Sequence, residues 1–194
     1  MVLKVLANKI FWILVHHSRG ERKNELLRKI CAHIGKNSEI FSENMGAEPY
    51  LVWIGDNVIV AGGVKFITHD ASYWTVSRYM GERSYVAGEK MGHIVLKDNC
   101  FIGGNSLLLP GTIVGENSVI AAGSVVNTEI PPNQVWGGVP AKYIMPLEVY
   151  ADKIRKYEKT LPWMDEVYEG KQFTNEQLVE FRKKHFLKEY TNDK

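Results

Sequence analysis

The stretch that decides the fold is residues 96–126, LKDNCFIGGNSLLLPGTIVGENSVIAAGSVV. Every sixth position in it is a large aliphatic: Leu96, Ile102, Leu108, Val114, Ile120 and Val126. Two places before each of the last five stands a small residue, Cys100, Ser106, Thr112, Ser118 and Ser124. Such a beat fits neither an amphipathic helix nor an alternating strand. It fits a solenoid in which three short strands make one triangular coil, the aliphatic filling the interior and the small residue easing the corner. Stacked coils then sit about 4.8 Å apart, so that each hydrogen-bonds the next.

Working outward, the beat is present earlier at Ile34, Ile40, Ile54, Val60 and Phe66. Ile40 and Ile54 are fourteen residues apart, so two extra residues interrupt the frame near Ala47-Glu48-Pro49-Tyr50. Pro49 cannot donate to a ladder and marks a bulge or small loop there. Eighteen residues per turn predict about four coils. After Phe66 the beat stops, and residues 68–93 form an insertion crowded with polar and aromatic side chains. Tyr73, Trp74, Tyr79 and Tyr85 argue for an ordered loop able to reach a neighbouring subunit. Ile130-Pro131-Pro132 is expected to end regular stacking.

Helical patterns flank the repeat. Val2, Leu3, Leu6, Ile10, Phe11 and Leu14 recur at helical spacing, either as a helix packed on the solenoid or as an interfacial helix at a membrane surface. A second helix is expected from Asn24, read as its cap, to about Ala32. Beyond the repeat, residues 147–159 and a segment opened by Thr174, with Gln177 completing a capping box, read as helices. The predicted organisation is a helical segment over 1–33, a solenoid over 34–145 interrupted by 68–93, and a helical extension over 146–194.

The 194 residues carry a net charge of +2 without a basic block, which disfavours nucleic acid as a partner. Cys31 and Cys100 are the only cysteines, too few for a disulfide framework, and the longest apolar run near the start is too short to span a bilayer. The expected location is the cytoplasm.

The run NCFIGGNSLLLPGTIVGENSVIAAGSVV followed by IPPNQVWGGVPAKYI resembles the hexapeptide-repeat acyltransferases, and among them the sugar O-acetyltransferases of galactoside, maltose and capsular-polysaccharide type. The resemblance implies a left-handed parallel β-helix, a homotrimer with shared active sites, and acetyl-CoA as co-substrate. It also implies an O-acetyltransferase acting on a sugar hydroxyl, in surface-polysaccharide synthesis. N-acetylation of a nucleotide-linked amino sugar, O-acetylation of an antibiotic, and a non-catalytic scaffold are the alternatives.

His69 is the candidate general base. It stands where the coils give way to the insertion, in the setting Phe66-Ile67-Thr68-His69-Asp70 that matches the catalytic histidine of that family. A neutral imidazole can take a hydroxyl proton and contributes about 10²–10⁴-fold in rate. Asp70 either orients His69, grips the acceptor or is a plain loop carboxylate. By resemblance, Phe101, Gly103, Gly104, Ala122, Gly123 and Ser124 flank the cofactor arm, and Lys142 of the G-x-P-A-K signature pairs with its phosphates. Asn127 and Thr128, assigned to the cofactor site by the same resemblance, stand where relatives carry Thr-Lys, a departure that removes a lysine. Glu48, Tyr50, Trp74 and Arg78 are suited to an acceptor sugar. A zinc site of three histidines, as in a rival solenoid family, needs more than His69 and His93, and no metal is expected.

Overall fold

The computed structural model describes residues 2–81 and 90–188. The six-residue beat becomes a succession of very short strands that visit three faces in rotation. His33–Ile34, Val52–Ile54, Ile94–Leu96, Ile113–Val114 and Glu129–Ile130 stack on the first face. Glu39–Ile40, Ile59–Val60, Phe101–Ile102, Val119–Ile120 and Gln134–Gly137 stack on the second, and Lys65–Phe66, Leu107–Leu108 and Val125–Val126 on the third. All of these pairings are parallel, each strand meeting its counterpart one coil away.

Register explains why the beat must be kept. Ile34, Ile54, Leu96, Val114 and Ile130 align in one column, Ile40, Val60, Ile102 and Ile120 in a second, and Phe66, Leu108 and Val126 in a third. All are buried, and each contributes roughly 1.5–3 kcal/mol relative to exposure. The small corner residues are buried too, and they satisfy themselves on backbone: Ser106 Oγ donates to Gly103 O at 2.7 Å and Thr112 Oγ1 to Val126 O at 3.0 Å. Asparagine supplies the left-handed turn between the first and second faces, at Asn37, Asn57, Asn99, Asn117 and Asn133. Their amides form a ladder, Asn99 donating to Asn117 at 2.6 Å and Asn117 to Asn133 at 3.0 Å.

Stacking does not end at the two prolines. After Asn133 the chain lays Gln134–Gly137 onto Val119–Ile120, and Lys142–Pro146 then returns antiparallel along it. Asn24 is not a cap either. The helices of the first segment are α1 (Val2–His17) and α2 (Gly20–Leu27), and Asn24 lies inside α2 with its Nδ2 donating to Ser38 O at 2.7 Å. That buried cross-link to the first coil outweighs its local preference for a helix start.

The insertion opens as a two-stranded stem, with His69 opposite Met91 and Asp70 opposite Lys90 in antiparallel register. Helix α3 (Tyr73–Met80) follows the first strand, while Tyr85 lies outside the described residues. A second compact unit begins at Glu148. It contains nearly all of α4 (Leu147–Glu158), with α5 (Met164–Tyr168) and α6 (Asn175–Phe186). Within it the buried Trp163 ring stacks on Phe181 at 6.1 Å, and Thr174 and Gln177 make the reciprocal bonds of a capping box. Among the described residues no helix is long and apolar enough to cross a membrane.

Candidate active site

The two extra residues near position 48 lengthen one coil to twenty, so that Ile34 pairs with Ile54 and Ile40 with Val60. The surplus forms a short 3₁₀ turn at Pro49–Leu51, preceded by Glu48 and the buried Met45. Gly46 carries the chain past the third face at φ +79°, where an added Cβ would fall 2.8 Å from both Phe66 O and Thr68 Oγ1. Only glycine passes this close without shifting the coil beneath.

This bulge sets Glu48 directly over the start of the insertion. The Thr68 hydroxyl donates to Glu48 Oε2 at 2.6 Å, and Glu48 N–H donates back to Thr68 Oγ1 at 3.3 Å. His69 Nδ1 meets the same Oε2 at 2.8 Å. The bonds from the His69 ring and then from Thr68 hold the Glu48 carboxyl below the usual carboxylate range, so it is ionised at neutral pH. An ionised carboxylate only accepts, so Nδ1 carries the proton, and in the neutral form of the ring the basic lone pair then lies on Nε2. The His69 side chain is 34% exposed and the Glu48 side chain 17%.

The carboxylate on the ring is therefore Glu48, which the sequence suggests as an acceptor contact, while the neighbouring Asp70 bonds within its own loop. Asp70 Oδ1 accepts the Ser72 N–H at 2.8 Å, and that bond first of all lowers its pKa. Beside His69 lies a cleft of about 640 Å³, whose walls include Trp12 from α1, Glu43 and Asn44. Sequence reasoning missed these three. Trp12 was hidden in an apolar run, and nothing local marks Glu43 and Asn44 as facing a site.

Other candidates are distributed more widely. Gly103-Gly104 and Ala122-Gly123 stack at the corner between the second and third faces, where Gly123 N–H donates to Gly104 O at 2.8 Å. Gly103 is fixed by packing, since a Cβ there would sit 2.4 Å from Ala122 N. The buried Ser124 hydroxyl donates to Ala121 O at 2.6 Å, and Phe101 is exposed on the outer second face. His69, by contrast, follows the third-face strand, as do the exposed Asn127 and Thr128 two coils on. One chain thus places its small-residue corner and its histidine at different corners of the prism. Lys142 is exposed, opposite Gly137. Tyr50 is 60% exposed. In α3 the Arg78 guanidinium lies over the Trp74 ring at 5.7 Å.

Among the described residues no group of three or more His, Cys, Asp or Glu side chains could hold a metal ion. His33 stacks on Trp53 at 4.8 Å. Burial pushes the Cys31 thiol up to about 12 and the Cys100 thiol up to about 11, so neither is a thiolate at neutral pH.

The family described as "Bacterial transferase hexapeptide (six repeats)" matches residues 93–128. Protein CapG of Staphylococcus aureus is 38% identical over 149 residues, 75% of this chain and 82% of that protein. The chain belongs to the hexapeptide-repeat acyltransferases. Within that family it is similar to the galactoside O-acetyltransferase of Escherichia coli (strain K12), 30% identical over 66% of this chain and 70% of the relative. Among solved structures, a maltose O-acetyltransferase from Clostridium difficile 630 superposes with a TM-score of 0.55 at 26% identity, covering 71% of this chain and 83% of that one.

Proposed function

We propose that this acyltransferase moves an acetyl group from acetyl-CoA to a hydroxyl of a sugar destined for a surface polysaccharide. The observation that carries the chemistry is the bond between His69 Nδ1 and the ionised Glu48 at the edge of the cleft. His69 Nε2 takes the proton of the acceptor hydroxyl as its oxygen attacks the thioester carbonyl. Glu48 fixes the ring's tautomer and offsets the positive charge that the ring gains. The carbonyl oxygen becomes an oxyanion, collapses, and expels the CoA thiolate, to which the imidazolium can return the proton. Backbone N–H groups of the coils are the donors available to the oxyanion.

Acceptor specificity belongs to the cleft. An indole face such as that of Trp12 suits a pyranose ring, and Glu43 and Asn44 suit its hydroxyls. The relatives' names, galactoside and maltose O-acetyltransferase and CapG, support a saccharide. Acetyl-CoA enters along Phe101, Gly104 and Ala122, with Lys142 near its phosphates. Since His69 and that small-residue corner lie on different corners of one chain, a complete site requires a neighbour. The left-handed, trimeric assembly implied by the family provides it.

The test is a thiol-release assay over a panel of galactosides, maltose, amino sugars and chloramphenicol. Transfer to neutral sugars with His69-dependent turnover supports the reading. Exclusive transfer to an amine, or turnover indifferent to His69, overturns it.

A further inference from the structure

Helix α1 is apolar on two sides. Phe11, Trp12 and Val15 pack on the core, Val15 being fully buried. On the opposite side Ile10, Ile13 and Leu14 are 49%, 57% and 43% exposed, at the spacing that puts them on one helical face. No acidic residue occurs before Glu21. Residues 1–29 hold seven Lys or Arg and two Glu, a charge of +5 that leaves −3 on the rest of a chain whose total is +2, although one of these cations, Lys23, is buried. Of the nearby acids, Glu43 pairs with His16 at 2.5 Å and Glu21 with Arg28 at 2.5 Å, while Glu25 on α2 and Glu39 beside Gly20 remain.

We propose that this outer face of α1 docks on an anionic lipid bilayer, with Ile10, Ile13 and Leu14 in the interface and Lys9 with its basic neighbours on the headgroups. Apolar area and positive charge on one helix are the two terms that drive interfacial binding, and the second selects anionic lipid. Identical copies meeting through this face would instead oppose like charges. Trp12 of the same helix lines the His69 cleft. Docking therefore sets the cleft at the bilayer surface, where a saccharide carried on a lipid would present its hydroxyls. That last clause rests on the function proposed above, whereas docking itself does not.

The experiment is co-sedimentation of the full chain with vesicles of phosphatidylcholine alone or of phosphatidylcholine and phosphatidylglycerol in equal parts. The expected result is binding to the mixed vesicles only, weakened about tenfold by raised salt and about tenfold in I10S/I13S. Acetyl transfer to a soluble acceptor stays unchanged in that variant, which separates loss of docking from loss of function. Lys9→Glu, which alters no apolar contact, repeats the loss should the double variant fold poorly. Failure to bind either vesicle, or equal binding by wild type and both variants, overturns the proposal. So does an I10S/I13S variant that dissociates an oligomer while wild type ignores lipid.

Discussion

The coils of residues 94–126 and the two irregular segments around Glu48 and His69 divide the molecule's labour. In the coils every inward position is aliphatic, every corner is small, and the backbone is paired from rung to rung. Such perfection leaves no inward position for a reactive group. The proposed chemistry gathers where the beat fails: a bulge of two surplus residues carries Glu48, and the exit into the insertion carries His69. The regular part supplies rigidity and the lapses supply reach.

Several measurements break or sharpen this contrast. Leu108→Ala empties a place in the third column and should cost about 2–5 kcal/mol in urea unfolding; a loss under 1 kcal/mol would mean the column is not close-packed. His69→Ala should lower turnover at least about a hundredfold while CoA still binds and the protein stays folded. Glu48→Gln keeps the shape but loses the charge that fixes the ring, and turnover should fall about tenfold with little change in KM. Because the folded carboxyl titrates below its unfolded value near about 4.3, its ionised form stabilises the fold above that pH. This contribution is lost as pH falls from there through the lower folded value, so wild type should lose its advantage over Glu48→Gln only in that acidic window. The smallest effect belongs to Tyr79→Ser in α3, which is 92% exposed. It should move unfolding by under about 0.5 kcal/mol, and a larger loss accompanied by dissociation would show the insertion gripping another copy.

The repeat, its columns and the position of His69 were legible because a six-residue period is a local signal. Glu48 was legible only as a polar residue in a bulge. Its meeting with residues 68–69 comes from counting: the two surplus residues that interrupt the frame make that coil twenty long, which sets position 48 over position 68. Asn24 misled because its contact with Ser38 is fourteen residues away and leaves no mark on the helix itself. Asp70 drew attention by adjacency, but neighbouring strand residues point apart.

A pile of interchangeable rungs has no natural length, and its last rung invites another chain to continue the pattern. Here the final rung on the second face, Gln134–Gly137, is met by the chain's own reversed segment, Lys142–Pro146. A parallel newcomer finds that rim already occupied by a strand running the wrong way and ending in proline, which discourages end-to-end growth into filaments.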